Sequence, residues 1–360
     1  MRTEELLDLK NNAYYNGISL KANLIETHIS WVLVGEEFVF KIKKPVKLGF
    51  LDFSTLPLRK HFCYREYVLN RLYSDIYLGV LPIKKKNGTW HIGRGRGRIL
   101  DYAVKMKKMD FNTQMDIMLD TNMLKIGHVR SLARVIAKIH DKAERVKSEI
   151  SILKMNSLFN DLTKIEPLAA KYLGTGAREI VKSSVAWSND FLSKHAERIH
   201  QRSNLGFVRL VHGDLHSGNV FILDPPVLFD CIEFDDSLRT IDVLSEIAFL
   251  AMDMEFYKQK GLSASFIYEY NLITGALLNK EDFEILNYYK CYRANIRAKV
   301  LFIRASECRN KTEFTNNLLK ARCYLNSIAN YMQYKPYPYK VEPRALSAAL
   351  GSSDLADNFQ

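Results

Sequence analysis

The feature that most constrains this chain is a polar loop set between two short apolar segments. The loop, His212-Gly213-Asp214-Leu215-His216-Ser217-Gly218-Asn219, follows a mostly apolar run. A second run, Val227-Leu228-Phe229, ends at Asp230. Short apolar runs bounded by Asn, Asp and Gly are typical of strands joined by a loop. The sequence therefore predicts a strand–loop–strand element with two aspartates and an asparagine at fixed spacing.

Composition allows a large core and no membrane span. The chain has 360 residues, of which 47% are hydrophobic, enough for one large or two moderate domains. No apolar run reaches the roughly 18–20 residues that a membrane span needs, and the N-terminus lacks a signal-peptide core. Five scattered cysteines without CxxC pairing are typical of a reducing compartment. We therefore expect a cytoplasmic protein that does not bind membranes.

The net charge of +12 is unevenly distributed. Residues 1–110 carry a net charge of +9, which favours polyanionic ligands such as nucleotide phosphates or nucleic acid. No zinc-finger, RNP or heptad pattern is present, so specific nucleic-acid binding is not expected. The segment from residue 230 to residue 255 contains eight acidic residues and one basic residue. This acidic stretch is either a polar helix face or a wall that attracts a cationic substrate.

The periodicity of the first third predicts a small β-rich lobe with one helix. Runs 29–34 and 38–43, joined by Gly35-Glu36-Glu37, predict a hairpin that carries Lys41 and Lys43 on one face. A helix capped by Ser54 or Thr55 carries Glu66. Extended runs follow at 77–83 and 99–109.

Beyond this lobe, helices dominate. They are predicted to end near His140, to fill an insertion at 150–202, and to cover 241–254 and 281–332. Arg293 and Arg297, four residues apart on one of them, are expected to form ordinary surface pairs, with contact to a substrate phosphate as the alternative. We expect an N-lobe over 1–108, a C-lobe over 109–333 and a partly ordered tail over 334–360.

The polar residues in this order match the groups that phosphoryl transfer from ATP requires. A strand lysine neutralises phosphate charge and a helix glutamate holds it. An aspartate accepts the proton of the attacking hydroxyl, while an asparagine and a second aspartate hold Mg²⁺. In protein kinases the first aspartate and the asparagine are five residues apart, as Asp214 and Asn219 are here. Asp230 then stands at the end of the following strand.

The loop resembles the HGD(L/I)HxxN signature of aminoglycoside phosphotransferases and choline-kinase-type enzymes, which share the protein-kinase-like fold. Phe229-Asp230-Cys231 and Ile241-Asp242-Val243-Leu244 resemble two later elements of that family. The stretches Glu26–Val32, Lys41–Leu56, Asp230–Phe234 and Tyr292–Val300 are similar to a bacterial group called "aminoglycoside phosphotransferase family enzyme". The resemblance covers about residues 20–330. It implies an α+β, two-lobe fold with an antiparallel-sheet N-lobe and a mainly helical C-lobe.

The resemblance also implies a function and a role for each matched residue. The function is an ATP- and Mg²⁺-dependent phosphotransferase acting on a hydroxyl of a small molecule, with GTP as an alternative donor. An amino sugar, an aminoglycoside-like or a choline-like compound would be the acceptor. By this resemblance, Asp214 would be the catalytic base, and Asn219 and Asp230 would be Mg²⁺ ligands. Lys41 would contact the phosphates and be held by Glu66. Met106 and Met109 would belong to the hinge beside adenine.

Several further assignments stay open. Lys43 shares the face of Lys41 and is its alternative. No GxGxxG motif precedes the hairpin, so the phosphate-covering turn is either Thr27-His28-Ile29-Ser30, with Ser30 as a contact, or Gly35-Glu36-Glu37. Asp242 resembles a helix aspartate that bonds the backbone of the catalytic loop. The remaining candidates are His212 for fixing the loop, and His216, Glu233 and Asp235 for a substrate or second metal contact.

Three alternative functions stay open on the sequence alone. The first is a nucleotide-binding pseudokinase that serves as a partner protein, which an intact Asp/Asn/Asp set disfavours. The second is a protein Ser/Thr kinase, which the short 230–241 segment and the missing Ala-Pro-Glu motif disfavour. The third is a metal hydrolase that uses His212, Asp214 and His216 as ligands. Zincin-type sites place such histidines on a helix, whereas here they flank a glycine-bearing loop.

Overall fold

The computed structural model describes residues 3–49, 51–147, 150–308 and 310–333. A sheet-rich N-lobe ends at Lys107, and a mainly helical C-lobe follows. The α+β, two-lobe architecture expected from the sequence is confirmed. The predicted tail at 334–360 lies outside the described residues.

The N-lobe is built on one eight-stranded sheet. Its strand order is β2-β1-β9-β8-β10-β5-β4-β3, and every pairing is antiparallel except the parallel pair β1–β9. The strands of this lobe, including the separate pair β6–β7, are β1 (Ala13–Tyr15), β2 (Ile18–Ser19), β3 (Asn23–Glu26), β4 (Ser30–Val34), β5 (Phe38–Lys43), β6 (Lys47–Leu48), β7 (Leu51–Asp52), β8 (Tyr77–Lys86), β9 (Thr89–Ile92) and β10 (Arg98–Lys107).

The predicted hairpin is the pair β4–β5. Its register places Val34 opposite Val39 and Ser30 opposite Lys43. Alternation along β5 buries Phe40 and Ile42 in the apolar core of the sheet. The other face of β5 therefore carries Lys41 and Lys43 towards helix α2 and the C-lobe.

Two helices pack on this lobe, whereas the sequence predicted one. The predicted helix is α2 (Leu56–Asn70), and the cap is Thr55, whose Oγ1 accepts from the backbone N–H of Leu58. The missed helix is α1 (Thr3–Asn12). Its buried side chains, Leu6 and Leu9, join the sheet core. The ten-residue segment is mixed in charge, and tertiary packing of two leucines decides its helicity.

The C-lobe contains nine of the described helices and two small strand pairs. The helices are α3 (Met115–Asp120), α4 (Ile126–Lys142), α5 (Ile152–Asn160), α6 (Glu166–Leu173), α7 (Thr175–Asn204), α8 (Val243–Phe256), α9 (Lys260–Thr274), α10 (Lys280–Glu307) and α11 (Lys311–Met332). The strands are β11 (Val208–Leu210), β12 (Val220–Phe221), β13 (Val227–Leu228) and β14 (Thr240–Asp242).

Most predicted helices of the C-lobe are present, with two differences. The insertion predicted at 150–202 consists of α5, α6 and α7, joined by a short 3₁₀ turn. The helix predicted at 241–254 begins at Val243, because residues 240–242 pair with β11. Helix α9 was not predicted. No helix in the described part of the chain has the length and apolar character needed to cross a membrane.

The lobes meet through an apolar cluster beside the hinge. The N-lobe contributes Val34, Val39, Val104 and Met106, among others, and Val227 and Phe229 of the C-lobe pack against them. Because Asp230 directly follows Phe229, this packing fixes the aspartate at the base of the cleft between the lobes.

Candidate active site

An ion network at the base of the cleft joins three separate elements. Lys41 on β5 is paired with Glu66 of α2 at 2.9 Å and with Asp230 at the end of β13. Glu66 is fully buried, whereas the Asp230 side chain is 41% exposed. The strand lysine, helix glutamate and strand-terminal aspartate predicted from the sequence therefore do meet, with the aspartate facing the open cleft.

Lys43 is a second member of this network, and it is deeper. Its ammonium group lies 2.7 Å from Glu66 Oε2 and also pairs with Glu233. Lys43 and Glu233 are both buried. Lys41 is the lysine nearer the cleft, which favours it over Lys43 as the phosphate contact. Glu233 was predicted as a second metal or substrate contact; its burial against Lys43 contradicts that prediction.

The charges of this network shift the pKa values of its members. Burial disfavours the charged forms of Lys41 and Glu66. The neighbouring opposite charges outweigh it, raising the pKa of Lys41 well above its ordinary value and lowering that of Glu66 to about 2. Burial raises the pKa of Glu233, and Lys43 offsets this only in part. The network thus holds Lys41 charged and Glu66 ionised at neutral pH.

The backbone around Asp230 is held by residues of the N-lobe. Asp230 has a left-handed conformation with φ of 63°, which costs a non-glycine residue free energy. Its N–H donates to the Tyr77 hydroxyl at 3.0 Å, and the N–H of Cys231 donates to Asn70 Oδ1 at 2.9 Å. Asn70 also bonds the carbonyl of Glu66 in α2. These bonds tie the position of the aspartate to helix α2.

Glu246 of α8 anchors the 212–219 loop by accepting hydrogen bonds from its backbone. Its two carboxylate oxygens accept from the N–H groups of His212 and Gly213 at 3.0 and 2.7 Å. Gly213 has φ of 87°, and a Cβ there would lie 3.0 Å from the carbonyl oxygen of Leu238, so glycine is required. Arg293 donates to the Gly213 carbonyl at 3.3 Å.

The assignment of Asp242 to this anchoring role is wrong. Asp242 caps α8 through the N–H of Leu244 and forms a two-pronged pair with Arg202 at 2.6 and 2.9 Å. It stands at the start of α8, beside β11, whereas Glu246 lies one turn further along the helix and reaches the loop. Asp242 is therefore structural, but it supports α8 instead of the 212–219 loop.

His212 joins the loop to the segment that follows the next strand. Its Nε2 lies 2.9 Å from the carbonyl oxygen of Phe229, and its own carbonyl accepts from the N–H of Ile232. The ring is fully buried and packs edge-on against Tyr73. His212 thereby connects the loop that carries Asp214 to the segment that carries Asp230.

Asp214 and Asn219 occupy the two ends of one turn. The Asn219 side-chain amide donates to the backbone carbonyl of Asp214 at 2.9 Å, which directs its Oδ1 away from that carbonyl. The Asp214 carboxylate is 42% exposed. The amide oxygen of Asn219 and the carboxylate of Asp230 form a donor set that suits Mg²⁺, which is held by few protein ligands together with water and phosphate oxygens.

His216 is committed to the loop. Its Nδ1 accepts from the N–H of Gly218 at 3.0 Å, and its Nε2 lies 3.8 Å from Asp214 Oδ2. Burial, aided by the charge of Arg297, lowers its pKa to about 3, so the ring is neutral. With one nitrogen of each histidine used in the loop, the arrangement disfavours the metal-hydrolase hypothesis. Among the described residues, no group of three or more His, Cys, Asp or Glu side chains is placed to hold a metal ion.

The positions of the two turns favour the 27–30 turn as the one that would lie over the nucleotide phosphates. The 35–37 turn lies at the hinge, where Glu37 accepts from the N–H of Lys108. The 27–30 turn closes β3 on β4 at the opposite end, and His28 lies 3.7 Å from Glu307 at the end of α10. Ser30 itself is fully buried, which contradicts its prediction as a nucleotide contact; Thr27 and His28 are the exposed residues of the turn.

The two methionines predicted at the hinge lie at its start. Met106 closes β10 within the interlobe cluster, and Met109 packs against the same cluster. Asp235, the last predicted contact, accepts from the N–H of Ser237 and caps a short turn. That local bond accounts for Asp235 without a ligand.

Four site residues were missed or undervalued from the sequence. Lys43 was predicted only as an alternative to Lys41 for the phosphate contact, although the sequence already placed both lysines on one face of the strand. Glu246 lies four residues after Asp242, on the same helix face, so the family motif pointed one turn too early. Tyr77 and Asn70 left no signal, because each acts through a backbone group more than 150 residues away.

Comparisons with known proteins give sequence relatives without an assigned activity. No family model matches the chain. It is 29% identical over 289 residues to the uncharacterized proteins Rv2004c of Mycobacterium tuberculosis and Mb2027c of Mycobacterium bovis. The match covers 78% of this chain and 55% of theirs, so the chain spans about half the length of these relatives.

Solved structures show the fold. The GDP and kanamycin complex of APH(2")-IIia has a TM-score of 0.52 at 10% identity, covering 91% of this chain and 99% of that one. A choline/ethanolamine kinase family protein from Mesorhizobium loti gives 0.52 at 11%, covering 92% and 98%. Choline kinase from Cryptosporidium parvum gives 0.51 at 12%, covering 91% and 96%. The fold expected from the sequence is the fold of these kinases.

Proposed function

We propose that this protein is an ATP- and Mg²⁺-dependent phosphotransferase that moves the γ-phosphoryl group to a hydroxyl of a small molecule. The observation that carries the proposal is the ion network of Lys41, Glu66 and Asp230, assembled from three elements beside the 212–219 loop. A network of this kind positions a cation and a metal-binding carboxylate at one end of a cleft. The structural relatives include, by their names, a choline kinase and an aminoglycoside 2'-phosphotransferase.

The nucleotide would lie between the lobes. The apolar cluster at Met106 offers a surface for a base, and the 27–30 turn would cover the phosphates. Lys41 would contact the phosphates, since its ammonium is the one nearer the cleft. ATP is the expected donor; GTP is the alternative, and one relative was solved with GDP.

Asn219 and Asp230 would hold Mg²⁺ through one amide and one carboxylate oxygen. Held there, Mg²⁺ would neutralise the negative charge that develops on the phosphate oxygens during transfer. Asp214 would orient the acceptor hydroxyl and accept its proton, since its carboxylate is exposed at the loop. His216 stays neutral near neutral pH and would take no part in that proton transfer.

The test is a transfer assay with γ-labelled ATP, Mg²⁺ and a panel of hydroxyl compounds. Replacing Asp214 with Asn should lower transfer by roughly 10²- to 10⁴-fold, the range for loss of a positioned general base. The control is Asp190→Asn, the same change at an exposed site of α7. The control should keep full activity.

Each remaining function predicts a different outcome. If ATP raises the melting temperature but no hydroxyl compound receives phosphate, the pseudokinase hypothesis replaces the proposal. Transfer to protein Ser or Thr would identify a protein kinase. The described 230–241 segment contains only a short 3₁₀ turn at 236–238 before β14, which disfavours that result. Stoichiometric zinc without ATP binding would support a hydrolase.

A further inference from the structure

Two charged stretches that the sequence presented as surface features lie at the acceptor end of the site. Arg293 and Arg297 were expected to form surface ion pairs, with a substrate phosphate as the alternative contact. The acidic stretch that includes Asp253 and Glu255 was predicted to be either a polar helix face or a wall that attracts a cation. The structure contradicts surface pairing by the two arginines. Arg293 is buried and bonds the carbonyl oxygens of Ser245 and Gly213. Arg297 has no ion pair within 4.0 Å in the described part of the chain.

The acidic residues are already engaged by protein groups. Asp253 accepts from the N–H and hydroxyl of Ser217 at 2.9 and 2.7 Å, and from the Tyr324 hydroxyl at 3.5 Å. Glu255 is bound by Lys290 and Tyr331 at 2.9 and 2.6 Å. Both carboxylates therefore hold helices and loop together, and neither is left to bind a cationic substrate.

Arg297, in contrast, has no ion pair with any residue that the structure describes. Its Nε donates to the Tyr324 hydroxyl at 3.4 Å, and its guanidinium lies 5.8 Å from the ring of the same tyrosine. Its two terminal nitrogens make no hydrogen bond to any described residue. In arginine these nitrogens can bind an anion in a bidentate manner. The bridge from Ser217 through Asp253 and Tyr324 places this guanidinium beside the 212–219 loop.

Helix α10 carries Arg297 along the wall of the cleft. The helix contacts the 212–219 loop through Arg293 and ends at Glu307, beside His28 of the 27–30 turn. Arg297 and Arg304 are four and eleven residues beyond Arg293, so at 3.6 residues per turn all three share one face. The exposed Arg304 thus extends the positive charge from the loop towards the 27–30 turn.

We propose that Arg297 binds an anionic group on the acceptor, so that the substrate is a hydroxyl compound carrying a carboxylate or phosphate. This proposal rests on the proposed phosphotransferase function and names its substrate class. It differs from the cationic acceptors expected from the sequence. Lys41 and the Mg²⁺ ligands serve the nucleotide phosphates at the other end of the site, which leaves Arg297 for the acceptor.

The neighbouring acid, Asp116, does not remove this charge. Its Oδ1 accepts from the N–H of Ile117. Burial raises the pKa of Asp116, although the charge of Arg297 acts in the opposite direction, and among the described residues no ion pair within 4.0 Å joins the two side chains. Burial lowers the pKa of Arg297, but the charge of Asp253, the Tyr324 hydroxyl and, last, the charge of Asp214 raise it above the ordinary value. The guanidinium is thus a cation within electrostatic reach of Asp214, the proposed base.

The experiment compares matched acceptors that differ in charge: gluconate and glucose 6-phosphate, neutral glucose, and cationic glucosamine and choline. The wild-type protein should phosphorylate an anionic compound with the highest kcat/KM. Arg297→Met should raise KM for that acceptor roughly 10- to 100-fold and leave KM for ATP unchanged. Arg297→Lys should fall between, and Arg322→Met, at an exposed site of α11, should have no effect.

A binding arm keeps the proposal testable if no compound of the panel is phosphorylated. Gluconate and inorganic phosphate are titrated calorimetrically into the Asp214→Asn protein, saturated with Mg²⁺ and a non-hydrolysable ATP analogue. Anion binding that is lost in Arg297→Met but kept with Arg322→Met supports the proposal. Preference for glucosamine or choline, or anion binding that is absent or unaffected by Arg297→Met, would overturn it.

Two further results would give Arg297 a different role or remove the basis of its assignment. If Arg297→Met raises KM for ATP, or lowers kcat equally for all acceptors, Arg297 serves the transferred phosphoryl group and the acceptor assignment is wrong. If the wild-type protein neither binds the nucleotide nor transfers phosphate, the proposed phosphotransferase function fails first. Melting temperatures of the Arg297 variants show whether each one is folded.

Discussion

The two ends of the site differ in how far their charged side chains are paired within the protein. At the proposed nucleotide end, two lysines and three carboxylates form one network, and Glu66 touches both lysines. At the proposed acceptor end, the terminal nitrogens of Arg297 have no hydrogen-bond partner among the described residues. The first end pairs its charges within the protein, and the second leaves a positive charge without an ion pair among the described residues. Substitutions at the two ends should therefore affect different quantities.

The largest effect is expected on stability, from Lys43→Met. Removing this ammonium leaves Glu233 buried without its partner, which should lower the free energy of unfolding by about 3–5 kcal/mol. The measurement is chemical denaturation at neutral pH. The double variant Lys43→Met with Glu233→Met is the control, because it removes both charges and should recover much of the loss. Equal stability of the single and double variants would show that Glu233 without its partner carries no energetic cost, which contradicts the prediction.

The next effect is expected on activity, from Lys41→Met. Glu66 keeps Lys43 in this variant, so the fold should survive, while kcat/KM for transfer should fall about 10²-fold or more. Steady-state kinetics with ATP as the varied substrate gives the number. Lys44→Met, just beyond the end of β5, is the matched control. If Lys43→Met, when folded, loses more activity than Lys41→Met, the two lysines have exchanged roles.

The smallest effect is expected on the pH dependence of stability, from His216→Asn. The folded pKa of His216, about 3, lies below its ordinary value of 6.5, so the unfolded state binds the proton more readily. The contribution of the neutral ring to the free energy of unfolding is complete above pH 6.5 and is lost as pH falls towards 3. Over this range the free energy of unfolding falls by up to about 1.4 kcal/mol per pH unit. The asparagine introduced by this change can still accept from the N–H of Gly218 but does not titrate, so the slope should flatten.

Denaturation midpoints at pH 7, 6 and 5 check this difference. His61→Asn, at an exposed site of α2, is the control and should follow the wild-type curve. If His216→Asn also follows that curve, the ring is not held neutral by the fold. That result would reopen a proton-transfer role for His216 beside Asp214.

Much of the fold followed from local patterns. The β4–β5 hairpin, the Thr55 cap and the helical insertion were predictable because turn chemistry and hydrophobic period are local properties. Helix α1 was missed because two buried leucines, contacting the sheet through tertiary packing, decide it. Helix α8 begins later than predicted because β14 finds a partner in β11, about 30 residues earlier in the chain.

The sequence by itself determined which chemical groups are present and in what order: Lys41, Glu66, Asp214, Asn219 and Asp230, at spacings that match a phosphotransferase. Tertiary structure alone decided which of them are exposed and which are bound by the protein. Burial removed Glu233 and Ser30 from the predicted ligand contacts, and long-range packing gave Glu246 the anchoring role predicted for Asp242. Charge compensation depends on neighbours that are distant in sequence, which is why the free guanidinium of Arg297 became apparent only in the folded chain.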